Sequence, residues 1–371
     1  MIKSQLKIFL IISLTIISNY SYAQIRKLRT HDTITISFIG DVMQHGKQLR
    51  SALIAGEDPN NADSYNYSNV FKYIEPTLKS SDIAIANMEF PIGTPPYRGY
   101  PTFSAPESII KEAKRCGINL SLLANNHLLD MGAKGFRRTL ELYNSIGMNY
   151  TGAYLSAEEQ EKNNPKLLFV KGIKIAFINF TYGTNGFPIP APYIINTMDS
   201  IKVKEAINRA KEKGANLIIA LPHWGEEYKL NPNSSQKRWA NMLFREGVEI
   251  IIGSHPHTPQ EAYIDNNKII FYSLGNYISN QSIPDYTQLE LLVTIKISIN
   301  LITKEHTILN PEYQFLWCFK KGEFIDDYTV VPIKDLIEKR YPIKDTIQFN
   351  RMLKTYNSFI NKNLIKNARD N

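Results

Sequence analysis

An α/β fold rich in parallel pairing is what this 371-residue sequence predicts, and three observations predict it. Short apolar runs alternate with amphipathic stretches of helical length. Several of those runs are apolar on both faces, as strands of a covered sheet are. Gly117, Gly147, Gly214 and Gly247 each follow an amphipathic stretch, where a helix C-terminus favours glycine.

The elements follow in order. Lys3 and Lys7 lead into the apolar run "IFLIISLTII" (8–17), which is short for a membrane span, and Ser21 and Ala23 supply small residues. Residues 1–23 therefore read as a secretory signal peptide cut after Ala23, with an uncleaved membrane anchor as the other reading. The mature chain is expected to be soluble outside the cytoplasm, periplasmic or secreted. Strand candidates are "TITISFIG" (33–40), "DIAIAN" (82–87), "INLSLLA" (118–124), "IKIAFINF" (173–180), "ANLIIAL" (215–221), "VEIIIG" (248–253) and "KIIFYSLG" (268–275). Helices are expected over roughly 66–80, 107–116, 133–146, 199–213 and 234–246; in the fourth, Val203, Ile207 and Ala210 share one face. After residue 285 the pattern changes to long runs, "LELLVTIKISINLI" and "HTILNPEYQFLWCF", read as antiparallel strands, and a last amphipathic helix is expected at 346–365. No repeat or low-complexity linker divides the chain, so residues 24–371 read as one domain.

Composition bounds the function. Apolar residues are 43% and charged residues 21%, the balance of a protein with a real core. The net charge of +8 falls to +6 without the leader, which suits an anionic partner or is simply solubility. No Lys/Arg cluster with interleaved aromatics points to nucleic acid. Two cysteines, Cys116 and Cys318, are too few for a cysteine zinc site; they either pair or stay free and buried.

The polar residues carry the chemistry. Five of seven histidines follow a predicted strand end, the edge where sites form in open α/β sheets. Asp41 and His45 follow the first strand, Asn87 and Glu89 the second, and Asn125, Asn126, His127 and Asp130 the third. His223, Glu226 and Glu227 follow the fifth, and His255 and His257 the sixth. In an extended segment residues two apart share a side, and Pro256 would pre-order both flanking rings. Imidazole, carboxylate and amide-oxygen ligands suit zinc, manganese or iron, and two metals sharing a carboxylate would activate water against a phosphoryl group.

On these motifs the chain resembles the CapA family of poly-gamma-glutamate capsule biosynthesis proteins, themselves similar to calcineurin-like metallophosphoesterases. The matching stretches are "GDVM" (40–43), "NMEFPIG" (87–93), "LANNHLLDMG" (123–132), "HWGEEY" (223–228), "GSHPHTPQ" (253–260) and "YSLGNYI" (272–278), covering about residues 34–280. The resemblance implies a four-layer α/β/β/α sandwich with one or two divalent ions at the strand ends. It implies Asp41 as first ligand, Asn126 and His127 as the Asn-His pair, His223 as the lone middle histidine, and His255 and His257 as the closing pair. Two departures stand out. Met43 occupies the place of a usual ligand histidine, and Glu89 stands in the region of the bridging aspartate. His45 either substitutes for the missing histidine or is a surface loop residue.

His127 is expected to be a general acid with Asp130 as its orienting carboxylate; helix capping is the alternative for each. Trp224 reads equally as a packed wall or a substrate platform, Glu227 as support for a ligand histidine, and Asn276 as a turn residue bracing the site. The imidazoles of His223, His255 and His257 are expected within about 3–5 Å of one another. Two functions follow. One is an extracytoplasmic metal-dependent hydrolase of phosphoester or related bonds, acting on an anionic envelope polymer or phosphorylated precursor. The other is a non-catalytic accessory protein of a membrane-bound polymer synthesis or export machine.

Overall fold

The computed structural model describes residues 30–265 and 268–367; the expected leader lies outside the described residues. Two large sheets face one another. The first runs in the order β17 (Thr329–Pro332), β16 (Glu312–Phe319), β14 (Leu289–Asn300), β1 (His31–Val42), β2 (Ile83–Met88), β3 (Leu120–Leu122), β4 (Asn149–Thr151), with β13 (Asn276–Ile278) beside β1 and β15 (His306–Ile308) beside β14. The second runs β18 (Ile365–Asn367), β11 (Ala262–Asp265), β12 (Lys268–Phe271), β10 (Ile250–Ile252), β9 (Leu217–His223), β7 (Ile173–Thr181), β6 (Lys166–Val170). A small pair joins β5 (Ala153–Tyr154) to β8 (Ile194–Ile195).

The period-2 alternation of each strand builds the layers. In β1 and β2, Ile34, Ile36, Phe38, Ile83 and Ile85 point between the sheets. In β7 and β9, Ile175, Phe177, Leu217 and Ile219 meet them there. The opposite faces, Ile39, Ala84, Ala86 and Met88 in one sheet and Ala176, Ile178 and Ala220 in the other, pack under helices. The result is helix, sheet, sheet, helix, the four-layer α/β/β/α sandwich implied by the family resemblance.

Parallel pairing holds β1 to β4 together and also β7, β9, β10 and β12. Past residue 288 the pairing β1–β14–β16–β17 is antiparallel, as expected. The expected helices appear at Ser108–Arg115, Gly132–Ser145, Ser200–Glu212, Ser234–Arg245 and Thr346–Ile360, and all four following glycines have positive φ. The helix expected over 66–80 is a correction: only Glu75–Ser80 is helical, because Pro76 suits a helix's first turn and disfavours one running through it. Asn310 and Pro311 likewise break the run 306–319 into β15 and β16. Cys116 and Cys318 are buried free thiols. Among the described residues no helix is long and apolar enough to cross a membrane.

Register positions the strand ends. Asp41 pairs with Asn87 on one side and Asn276 on the other. In the facing sheet Thr181 pairs with His223, and His223 bridges to Ser254. Gly40, where the β1–β2 register shifts, has no room for a side chain: a Cβ would lie 1.9 Å from the Gly275 oxygen.

Candidate metal centre

These strand ends bring a set of buried ionisable groups face to face. Asp41, Glu89 and His223 are fully buried; Asn126, His255 and His257 are 1–3% exposed. Asn87 ties the two carboxylates together, its Nδ2 donating to Asp41 Oδ1 at 2.7 Å and Glu89 Oε2 at 3.2 Å. Asn125 holds the next loop by donating to the Met88 carbonyl at 2.8 Å.

Across the gap, His223 Nε2 lies 2.7 Å from Asn126 Oδ1 and 3.6 Å from Glu89 Oε1, while its Nδ1 meets Ser254 Oγ at 2.9 Å. His257 Nδ1 lies 2.9 Å from Asn276 Oδ1, so the amide oxygen accepts its proton and Nε2 is left facing Glu89 Oε1 at 3.9 Å. Asn276 thus braces His257, from the first position of β13 rather than from the expected turn. The ring centroids of His223 and His255 are 4.8 Å apart, and those of His255 and His257 are 5.9 Å apart. The expected single three-histidine centre is therefore split. Among the described residues, two groups that could hold a metal ion form, the offered atoms of each within 4.8 Å of one another: Asp41, Glu89 and His223; and Glu89, His255 and His257. Glu89 is common to both.

The expected extended backbone at His255–Pro256–His257 is also corrected. His255 has φ +97° and His257 φ +58°, a region costing non-glycine residues about 1–3 kcal/mol each. The bend is held from outside: His255 N donates to Asp41 Oδ2 at 3.2 Å, and Tyr228 N donates to the Pro256 carbonyl at 2.8 Å. With this backbone the His255 and His257 rings lie 5.9 Å apart, centroid to centroid, and both fall in one candidate group with Glu89.

The donor set fits divalent cations. Among the described residues, Glu89 Oε1 and His255 Nδ1 are buried with no hydrogen-bond partner, and each such orphan is costly unless a cation takes it. Burial, then the Asp41 and Glu227 carboxylates, hold the Glu89 carboxyl well above the usual carboxylate range. Burial, then neighbouring histidines, hold His223 and His255 well below the usual imidazole range, which keeps them in the neutral ligating form.

His127 and Asp130 stand at the rim, 6% and 7% exposed. His127 Nδ1 lies 2.7 Å from Asp130 Oδ2, which also accepts from Phe103 N at 2.7 Å. Neither caps a helix: the helix Gly132–Ser145 starts after Met131, with no side-chain cap. Met43 is buried in the helix-facing core, away from any ligand role. The surface-loop reading of His45 is corrected: it is half-buried at the start of helix Gly46–Ala52, its N–H donates to Gln48 Oε1 at 2.8 Å, and its ring meets Phe103 edge-on at 5.3 Å. Trp224 is a packed wall, fully buried with Nε1 donating to the Tyr272 carbonyl. Glu227 is exposed and no hydrogen bond ties it to a ligand histidine.

Asn87 and Asn185 carry more than the sequence reading gave them. Asn185 Oδ1 accepts from Asn126 Nδ2 at 3.0 Å. Its only signal was Asn-Gly in the loop following β7.

The profile of the family described as bacterial capsule synthesis protein PGA_cap matches residues 35–281. The chain belongs to that family. Among curated relatives, it is 30% identical over 269 residues to the capsule biosynthesis protein CapA of Bacillus anthracis, covering 69% of this chain and 62% of that protein. It is 29% identical over 272 residues to the PGA biosynthesis protein CapA of Bacillus subtilis strain 168, covering 70% and 67%. The match thus spans just under two thirds of the Bacillus anthracis protein. Among solved structures, a phosphatase from Mycoplasma pneumoniae aligns with TM-score 0.44 and 16% identity over 76% of this chain and 93% of that one. The calcineurin-like phosphoesterase YfkN of Bacillus subtilis aligns with TM-score 0.40 and 11% identity over 88% and 98%. The PGA_cap match ends just beyond β13, so every candidate ligand falls inside the family region.

Proposed function

We propose that this PGA_cap family member is an extracytoplasmic metal-dependent hydrolase of phosphoester or related bonds, acting on an anionic envelope polymer or its phosphorylated precursor. One observation carries the reading: two candidate metal-holding groups share the buried Glu89, whose Oε1 has no hydrogen-bond partner among the described residues, with the His127–Asp130 pair at their rim. Asp41, Asn126, His223 and Glu89 would hold one divalent ion; Glu89, His255 and His257, with Asp41 beside them, would hold the other. Bound ions supply water activation and neutralise charge on a phosphoryl group. The protein's own part is positional and acid–base. Asn87 holds both carboxylates, Ser254 and Asn276 orient their histidines, and Asp130 engages His127 Nδ1, which leaves Nε2 to give a proton to a leaving-group oxygen. Export is proposed from the leader pattern, with a mature start near Gln24. N-terminal mass analysis of envelope-derived protein tests it, and retention of Met1–Ala23 would refute it.

Met43 favours a second reading, an accessory protein that keeps the fold without turnover. The deciding experiment compares wild type, His127→Asn and Asp130→Asn at equal loading with manganese, zinc or iron. His127→Asn is expected to keep its metal and lose about 10²–10⁴-fold in turnover, more on a poor leaving group than on an aryl phosphate. Asp130→Asn is expected to lose less. No turnover by wild type with any metal leaves the accessory reading in possession.

A further inference from the structure

Resting on the hydrolase reading, we infer that Asn185 is a substrate-binding residue whose amide nitrogen donates to a phosphoryl oxygen beside His127. The loop that carries it is built to cross the site. β7 ends at Thr181, opposite His223, and Tyr182 N then donates to the His223 carbonyl at 3.0 Å. The Tyr182 ring lies 4.5 Å from that of His255. Phe187 N donates to the Thr184 carbonyl at 2.9 Å, closing a four-residue turn. Its two central residues, Asn185 and Gly186, have φ +51° and +79°. Positive φ at both is the mark of a type I′ turn, a rigid form that Asn-Gly favours.

Hydrogen-bond bookkeeping then decides which end of the amide is free. With Asn126 Oδ1 turned to His223 Nε2, Asn126 presents its nitrogen to Asn185, so Asn185 must answer with its oxygen. This leaves Asn185 Nδ2 3.4 Å from His127 Nδ1. That nitrogen already gives its proton to Asp130 Oδ2 at 2.7 Å, because a carboxylate has none to give in return. It therefore has no lone pair for Asn185. Among the described residues, both hydrogens of Asn185 Nδ2 are left without a protein acceptor, on an exposed residue, while the groups around it are buried. An amide donor pinned to a candidate metal ligand, beside a candidate acid and open to solvent, is placed for an anionic oxygen.

The test titrates inorganic phosphate calorimetrically into manganese-loaded wild type, Asn185→Asp and Asn185→Gly, with metal content measured on each. Aspartate keeps the acceptor for Asn126 and removes the donor; glycine keeps the turn and removes the side chain. Both variants are expected to retain wild-type metal content. The glycine variant should bind phosphate roughly tenfold or more weakly, as loss of a hydrogen bond to a charged group implies, and the aspartate variant more weakly still. Wild-type phosphate affinity in both variants overturns the inference alone. Loss of metal along with phosphate also overturns it, since Asn185 would then act only through Asn126. Failure of the wild type to bind phosphate overturns the inference and the hydrolase reading together.

Discussion

The space between the sheets and the edge where their strands end are buried to the same degree and built from opposite chemistry. Phe177 and Ile219 are fully buried, and so are Glu89 and His223. Burying a large apolar side chain stabilises by about 1.5–3 kcal/mol. Burying ionisable groups costs free energy instead, the more so for Glu89 Oε1 and His255 Nδ1, which have no hydrogen-bond partner among the described residues. The first region explains why the chain folds. The second is costly to fold despite its internal hydrogen bonds, and that cost points to function.

Substitutions should separate the two. The largest effect on stability belongs to the apolar region: Phe177→Ala should lose about 3–5 kcal/mol in denaturant unfolding. Metal bound per folded chain should stay unchanged. His255→Ala should do the reverse, lowering metal content while the unfolding transition of the metal-free protein moves little. Wild type should in turn gain from added metal, about 2.7 kcal/mol at a hundredfold excess over the dissociation constant, and His255→Ala much less.

Glu89→Gln gives the sharper contrast. In the metal-free protein the Glu89 carboxyl is held above its unfolded value, so its contribution is intact at low pH. It is lost as pH rises from about 4.5 through the raised folded value. Glu89→Gln should remove this loss and leave the metal-free protein more stable than wild type at neutral pH. Less stability than wild type there would mean that Glu89 is a structural residue. The smallest effect is expected at His45. His45→Ala should cost about 1 kcal/mol, as loss of one side-chain hydrogen bond, here between its Nδ1 and Gln48 Oε1, does, and leave metal content unchanged; loss of metal would make it a candidate ligand.

The layers and most of the residues gathered at the candidate site were legible in the sequence for a shared reason. Strand alternation and strand-end polar residues are local signals, and residues such as Ile83, Ile85, Asp41 and His223 carry them directly. What was not legible depends on contacts between distant segments. The left-handed backbone at His255 and His257 is imposed by Asp41 and Tyr228, far away in sequence. The shared position of Glu89 depends on the two sheets facing each other, since it lies between His223 of one sheet and groups braced by the other. Asn185 reaches the site only because its loop folds back across His223. The helix expected at 66–80 failed for a local reason, Pro76, which the apolar periodicity around it masked.

If Glu89 joins the two candidate groups into one centre, the metal content of each chain should depend on it. Wild type and Glu89→Gln would be purified, loaded separately with manganese, zinc or iron, dialysed and measured by elemental mass spectrometry, with circular dichroism confirming the fold of each. Wild type should retain up to two ions per chain with at least one of these metals, and the folded Glu89→Gln variant should lose most of both. Equal retention by the two proteins, or no retention by wild type with any of the three metals, would contradict the account.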